Sequence, residues 1–426
     1  MTSDARASDG PALRRDLALA TWGLFVGLAL LMVAAGLFGT ALGVRSERAG
    51  LPTAVSSAIS ACYYVGFLVG SKLTLSALGR VGHIRVYAAL SSTLAAAMVA
   101  VAVVESSLAW AALRLVTGIC TAGVYVIAES WLNDLATNDN RGRLLALYSL
   151  VTILFFGLGQ ILIAPFDQRL TMAFAVAGII TSLAVAPVAL SEEAVAPEVA
   201  RRDRISLRDL ARLVPTGVFS CVLIGVAHGA MSGMAAVYAT RVGFSVAEIG
   251  LFVALPSLGG VLLQWPIASA SDDLDRRAVG FAAATLAVGV SVLLLLGPAE
   301  HPMVFVLVAI LGGFSWPLYS IAAAYTNDWI EPEHLNSAAS QLVSLYGIGA
   351  VAGPFVAAGT MIVAGPDGYY WSLVGLHALI AVFFFYRLLA WRAPLTKRPW
   401  SEVSLPARAF FVPATIISMT RRRRRG

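Results

Sequence analysis

Residues 17 to 44, LALATWGLFVGLALLMVAAGLFGTALGV, form an apolar run that contains no charged side chain. A helix needs about 20 predominantly apolar residues to cross the hydrocarbon core of a bilayer. This run is longer than that, and residues 144–163 and 303–325 hold comparable runs. The stretch therefore predicts a transmembrane helix, and its recurrence predicts several.

The composition of the whole chain supports this prediction. Of its 426 residues, 58% are hydrophobic and 13% are charged, and the mean hydropathy is +0.80. Soluble domains contain about 45–50% apolar and about 25% charged residues. The alternating ten-residue segments of a membrane barrel are absent from the sequence. We therefore predict an all-α membrane protein.

The apolar runs between polar segments predict twelve membrane spans. Their approximate limits are 17–43, 52–78, 84–104, 108–132, 143–164, 168–190, 213–239, 246–268, 277–297, 303–326, 335–364 and 369–390. A polar break after the sixth span divides the chain in two. The predicted regions are an N-terminal tail (1–16), a six-helix half (17–190), a linker (191–212), a second six-helix half (213–390) and a basic tail (391–426).

Arginine residues are distributed unequally between the two sides of the predicted bundle. Twelve spans place both termini and the linker on one side, which also holds Arg6, Arg14, Arg15, Arg80, Arg85, Arg141 and Arg143. The other side holds Arg45, Arg48, Arg169 and Arg241. The positive-inside rule then predicts a multi-pass protein of the bacterial inner membrane with both termini in the cytoplasm. The net charge of +6 reflects this topology, so we expect the lipid bilayer as a partner and no nucleic acid.

The sequence repeats itself weakly at an offset of 194 residues. GVYVIAESWLND, residues 123–134, aligns with PLYSIAAAYTND, residues 317–328. Tyr125 then matches Tyr319, and Asp134 matches Asp328. Two pseudo-symmetric halves of six helices are the architecture in which one half rocks against the other around a central path.

Several short motifs resemble those of the major facilitator superfamily. LSALGRVGHIR, residues 75–85, is similar to a degenerate copy of its loop motif G-x-x-x-D-R-x-G-R-[RK], and ASASDDLDRR, residues 268–277, is the matching loop of the second half. RLVTG, residues 114–118, resembles its buried-arginine motif. ESWLND, NRGRLLALY, GFSWPLYSIA and YGIGAVAGP together resemble the YcaD-like branch. The resemblance covers roughly residues 17 to 390 and implies the major facilitator fold.

Glu129 is a carboxylate close to the cytoplasmic end of the fourth span. Such a group is costly in a membrane, and it faces protein or water with a partner. We interpret it as half of an ion pair that closes the cytoplasmic side, while a proton-carrying role stays open. The resemblance implies that an acid here pairs with the loop arginine and stabilises the outward-facing state. The gating candidates are Glu129, Arg80, Arg85, Arg141, Arg143, Asp272, Arg276 and Asp328.

Arg114 lies about 22 Å along an ideal helix from Glu129. Arginine keeps its proton, so this side chain anchors an anionic group, modulates a proton site or bonds to helix carbonyls. A free histidine side chain titrates near physiological pH, so His228 is interpreted either as a proton site or as a packing residue. Polar groups in the apolar interior of a membrane need hydrogen-bond partners, which a solute cavity or hydrogen bonds between helices would supply. The substrate-path candidates are Arg114, Tyr125, His228, Gln264, Trp316, Tyr319 and Gln341.

These residues predict a secondary active transporter for a small organic solute, linked to protons, with uptake and efflux both open. The alternative is a receptor or sensor built on a transporter fold. HExxH, GxSxG and P-loop motifs are absent from the sequence, so we predict neither an enzyme nor an ATP-driven pump. We expect no cofactor, no metal and a monomer.

Overall fold

The computed structural model describes residues 10–135, 141–191, 205–297, 302–331 and 334–390. Residues 192–204, which form most of the predicted linker, and the predicted tail 391–426 lie outside the described residues, as do residues 1–9. Every regular element in the described part of the chain is a helix. The prediction of an all-α membrane protein is confirmed.

The N-terminal half contains helices α1 (Gly10–Arg48), α2 (Thr53–Val81), α3 (His83–Val103), α4 (Ser107–Leu135), α5 (Arg141–Ile161), α6 (Leu170–Leu183) and α7 (Val185–Ala189). The short helix α8 (Leu207–Leu213) follows the linker. The C-terminal half contains α9 (Pro215–Arg241), α10 (Val246–Asp273), α11 (Arg276–Leu296), α12 (Met303–Ser315), α13 (Pro317–Asn327), α14 (Leu335–Ala364) and α15 (Gly368–Ala390). Short 3-10 helices cover Ala164–Arg169 and Gly365–Asp367.

Ten helical segments of the described chain are long and apolar enough to cross a membrane. One of them, residues 337–390, contains most of α14 and all of α15, and a shorter apolar helix covers Leu147–Ile161 within α5. The predicted span 168–190 is divided between the end of a 3-10 helix, α6 and α7. These observations are compatible with the predicted twelve spans.

The tenth predicted span is interrupted at Trp316, between α12 and α13. Pro317 causes the interruption, because proline has no N–H and its ring clashes with the preceding turn. Close to this break, the Ser315 carbonyl accepts a hydrogen bond from the His228 ring at 3.0 Å. This bond links a histidine of α9 to the C-terminal end of α12.

Glycines allow neighbouring helices to pack backbone against backbone. A Cβ at Gly225 of α9 would collide with the Tyr346 carbonyl of α14, and one at Gly349 of α14 would collide with the Val222 carbonyl of α9. The same occurs between Gly66 of α2 and α4. Small residues at these contacts are how membrane helices approach closely without a hydrophobic drive between them.

The two halves contact each other through α2 with α14, α5 with α10, and α1 with α9. We call the end of the bundle that carries α8 and the ends of α4 and α13 the linker end, and the opposite end, with residues 45–53 and 241–245, the far end. The space between the halves is where a central path is expected.

Candidate substrate cavity and its two ends

A cavity lies between the halves and is lined by helices of both. The N-terminal half contributes α1 to α5, and the C-terminal half contributes α9, α10, α12, α14 and α15, together with Trp316. Serine, threonine, tyrosine and tryptophan side chains interrupt its apolar wall. Among the described lining residues, Arg114 carries the single full charge, and no aspartate, glutamate or lysine joins it. The site is therefore amphipathic with one cationic point.

Arg114 is held by aromatic rings. Its guanidinium carbon lies 4.4 Å from the centre of the Tyr63 ring and 5.5 Å from that of Phe38. Within the described part of the chain, the structure gives the Arg114 guanidinium no carboxylate partner. Ring faces stabilise the charge, while the in-plane N–H groups stay available to a ligand.

His228 lines the cavity on the C-terminal half and is part of a hydrogen-bonded chain. Its Nε2 donates to the Ser315 carbonyl at 3.0 Å, so its Nδ1, 3.0 Å from the Tyr346 hydroxyl, accepts in the neutral ring. The Ser315 hydroxyl lies 2.8 Å from His377 Nε2, and His377 Nδ1 donates to the Leu373 carbonyl at 2.8 Å. Both imidazoles are bonded at both nitrogens. The proton-site and packing interpretations of His228 both remain compatible with this geometry.

Tyr125 and Trp316, two further substrate-path candidates, also line the cavity. The Tyr125 hydroxyl bonds to the Met32 sulfur at 3.1 Å, and the Trp316 ring lies 4.3 Å from that of His228. Trp265 is different, since 53% of it is exposed on the bundle surface. Trp265 does not line the cavity, because its face of α10 points outward.

The other three substrate-path candidates do not line the cavity. Tyr319 packs behind the wall, with its ring 5.0 Å from that of Tyr346. Gln341 donates to the Ile205 carbonyl at the linker end, and Gln264 is buried in α10 away from the lining. The rotation of each helix separates these three residues from the lining, because residues of similar polarity need not share a helix face.

Three gating candidates meet at the linker end of the C-terminal half. The buried Arg276 bonds to both oxygens of Asp328, at 2.7 and 3.4 Å, and to the Ser271 hydroxyl at 2.8 Å. Asp272 lies 3.5 Å from the same guanidinium. This cluster ties the ends of α10, α11 and α13 together. It is a brace within one half.

The N-terminal half has no equivalent cluster in the described residues. Glu129 is buried, while Arg80 and Arg85 are exposed and form no ion pair with it. The side chains of Arg141 and Arg143 lie outside the described residues. The role of Glu129 in an ion pair that closes the cytoplasmic side therefore stays a prediction.

Asp134, which the 194-residue offset aligns with Asp328, has a weaker contact. Its carboxylate lies 3.6 Å from His83 Nε2, and 37% of its side chain is exposed. Partial burial raises the pKa of the Asp134 carboxyl. Among the described residues, the 3.6 Å contact of Asp134 is longer than the 2.7 Å bond between Arg276 and Asp328.

An ion pair joins the two halves at the far end. Arg241 at the end of α9 binds both oxygens of Glu47 in α1, at 2.9 and 2.8 Å, and the Thr53 hydroxyl at 3.2 Å. Ser60 donates to the Gly233 carbonyl at 2.9 Å nearby. No sequence pattern described above predicts this pair. A signal existed, because Arg241 is one of the few arginines on the arginine-poor side and the repeat offset aligns it with Glu47.

Comparisons with known sequences identify a family. The profile described as Major Facilitator Superfamily matches residues 17–245 and 217–425. The uncharacterised MFS-type transporter YcaD of Salmonella arizonae is 28% identical over 388 residues, covering 89% of this chain and 97% of the relative. The protein of the same name from Salmonella typhimurium is 28% identical over 383 residues, with the same coverage.

Solved structures share the fold. The nucleoside transporter NupG aligns with a TM-score of 0.69 at 13% identity, covering 87% of this chain and 98% of that one. A bacterial homologue of the human lysosomal transporter Spinster, in an inward-facing and occupied conformation, aligns with a TM-score of 0.67 at 15% identity, covering 87% and 96%. The likeness covers most of the chain.

Proposed function

The chain belongs to the Major Facilitator Superfamily, and on this premise we propose that it moves a small organic solute across the membrane by alternating access. Its family and relatives are membrane transporters rather than enzymes. The observation that carries the proposal is the cavity between the halves, which both halves line with polar and aromatic side chains. A solute held there contacts both moving parts, as a rocking mechanism requires.

The far-end ion pair supports a two-state mechanism. Arg241 and Glu47 come from different halves, so rocking the halves apart at this end must break their contact. A contact present in one conformation stabilises that conformation by its differential energy. We propose that Glu129 acts at the linker end in the opposite state, together with a basic partner among Arg80, Arg85, Arg141 and Arg143.

We propose a proton as the coupling ion and leave the direction of transport open. His228 is the candidate on the cavity wall, because an imidazole changes its charge near physiological pH and hydrogen bonds link it to Tyr346. Glu129 is the second candidate, since it is a buried carboxyl. One chain supplies a complete cavity, so we propose that a monomer is sufficient.

Transport is tested in proteoliposomes that hold the purified protein. They are incubated with a metabolite mixture under an imposed proton gradient, and their contents are measured by mass spectrometry. We expect at least one organic solute to accumulate, and a protonophore to abolish the accumulation. Protein-free liposomes are the control. Binding of a solute without accumulation under any gradient would favour the receptor alternative and contradict the proposal.

We also propose that the linker end faces the cytoplasm of a bacterial inner membrane. The support is the excess of arginine in the segments at that end. Reporter fusions after Arg208 and after Arg45 should then report opposite compartments, with the first in the cytoplasm. Identical signals from the two fusions would contradict both this orientation and the twelve-span topology.

A further inference from the structure

The cavity holds one cationic group whose charge no protein acid balances within the described residues. An arginine inside a membrane protein keeps its proton and needs acceptors or water. Arg114 faces the cavity, and the described lining residues include no aspartate or glutamate. The counter-charge is therefore left to whatever occupies the cavity.

The rings around Arg114 orient its donors. Tyr63 and Phe38 approach the guanidinium at 4.4 and 5.5 Å from their ring centres. Contacts of this kind stabilise the cation without using up its N–H groups. A planar guanidinium presents paired N–H donors that match the two oxygens of a carboxylate. The site is thus suited to a planar anion and unsuited to a cation.

The opposite wall of the cavity is aromatic and uncharged. Trp316 lies against His228 with ring centres 4.3 Å apart, and Tyr346 adjoins the same histidine at 5.6 Å. The 194-residue offset aligns Arg114 with Val308, which also lines the cavity. The second half therefore offers a ring surface and an aliphatic side chain where the first half offers a charge.

We propose that the transported solute is a small organic monoanion with an aromatic or otherwise flat apolar body, bound through its carboxylate by Arg114. This inference rests on the proposed transport function and names its substrate class. The carboxylate pairs with the guanidinium on the N-terminal half, and the body packs against the Trp316 and Tyr346 rings on the C-terminal half. A ligand bound in this way bridges the halves.

The test measures binding to the purified full-length protein by thermal stabilisation and titration calorimetry. The probes are benzoate, phenylacetate and indole-3-acetate, each compared with its amide and with the amine of the same ring. We expect at least one acid to bind at least about tenfold more tightly than its amide, because charge-assisted bidentate bonds are stronger than neutral ones. This comparison uses the wild-type protein and needs no variant to fold.

Variants then locate the contact. Arg114→Gln should weaken binding of that acid at least about tenfold and weaken amide binding by a smaller factor, since loss of the guanidinium fork removes the charge-assisted pair from the acid alone. The matched control is Arg169→Gln, because Arg169 is an exposed arginine outside the cavity lining. It should bind the acid within twofold of wild type.

Three results would overturn the inference: no acid binds, an amide or amine binds as tightly as its acid, or Arg114→Gln keeps full acid affinity. Protein-dependent flux of a neutral or cationic solute alongside such a result would leave the proposed transport function intact. Acid binding of the expected pattern without flux would do the reverse, supporting the ligand class and contradicting transport.

Discussion

The linker ends of the two halves follow the same helix plan but differ in their charges. In the C-terminal half, the buried Arg276 is bonded to Asp328 at 2.7 Å. The 194-residue offset places Gly82 at the position of Arg276, and Asp134, aligned with Asp328, is left with a 3.6 Å contact to His83. Within the described residues, the brace of the C-terminal half has no counterpart in the N-terminal half. Two halves can share the same arrangement of helices and still be stabilised by different side-chain interactions.

On the described cavity walls, the N-terminal half carries the charge and the C-terminal half is uncharged. The N-terminal half contributes the charge of Arg114, while the aligned Val308 of the C-terminal half is apolar. Glu129, the acid near the linker end, aligns with Ala323. The N-terminal half thus places a charge on the cavity wall, whereas Arg276 and Asp328 of the C-terminal half pair with each other away from the cavity.

The largest expected effect is on the stability of the C-terminal brace. Asp328→Asn removes the acid that the buried Arg276 binds at 2.7 Å and keeps Asp272 at 3.5 Å. Removing one partner of a buried ion pair costs about 3–5 kcal/mol, and we expect the lower end of that range because Asp272 remains. Denaturant unfolding in detergent, followed by tryptophan fluorescence, measures the loss.

Asp134→Asn is the matched control at the aligned position. Its side chain is 37% exposed, so its contact with His83 is screened by solvent. We expect a change in the free energy of unfolding below about 1 kcal/mol. Equal losses in the two variants would show that the halves are braced alike.

The second effect is on the cavity. Arg114→Lys keeps the charge but loses the planar fork, so transport should fall about ten- to a hundredfold while the folded yield is unchanged. Initial rates in proteoliposomes measure the change, and Arg169→Lys serves as the control. Normal rates in Arg114→Lys would assign Arg114 a purely structural role.

The third effect is on the far-end ion pair between Arg241 and Glu47, which the 194-residue offset aligns with each other. Arg241→Glu puts two acids together at the far end, and the conformation closed there should lose about 1–2 kcal/mol, a shift of about tenfold in population. Distances between spin labels across the far end measure the shift. The double variant Arg241→Glu with Glu47→Arg should restore the wild-type distribution, because it rebuilds the pair in reverse.

The smallest effect is expected at Glu129. It should shift the conformations in the direction opposite to that of Arg241→Glu. Glu129→Gln should favour the conformation open at the linker end by about 1 kcal/mol, a factor of about five. Labelling of a cysteine placed at Asn327 should then become faster. A charge swap with the true partner among Arg80, Arg85, Arg141 and Arg143 should slow it again. Unchanged labelling together with a shifted pH optimum of transport would instead assign Glu129 a proton-carrying role.

Sequence patterns predicted most of the fold and part of the site. The apolar runs predicted the helices, because backbone groups in lipid must be satisfied within the segment itself. Arg114, Tyr125, His228 and Trp316 were selected as polar or aromatic groups in those runs, and all four line the cavity. Gln264, Tyr319 and Gln341 were selected by the same rule and lie elsewhere.

The sequence by itself determined that the chain is an all-helical, multi-pass membrane protein, and it predicted where the chain divides and how its halves align. Only the tertiary structure decided which side chains meet. Gln341 and Tyr346 stand on one helix five residues apart, about 140° around its axis, so one bonds the linker and the other reaches His228. Arg241 and Glu47 are 194 residues apart and meet across the halves. Hydropathy is a property of a whole segment and leaves the rotation of each helix to its packing against neighbours.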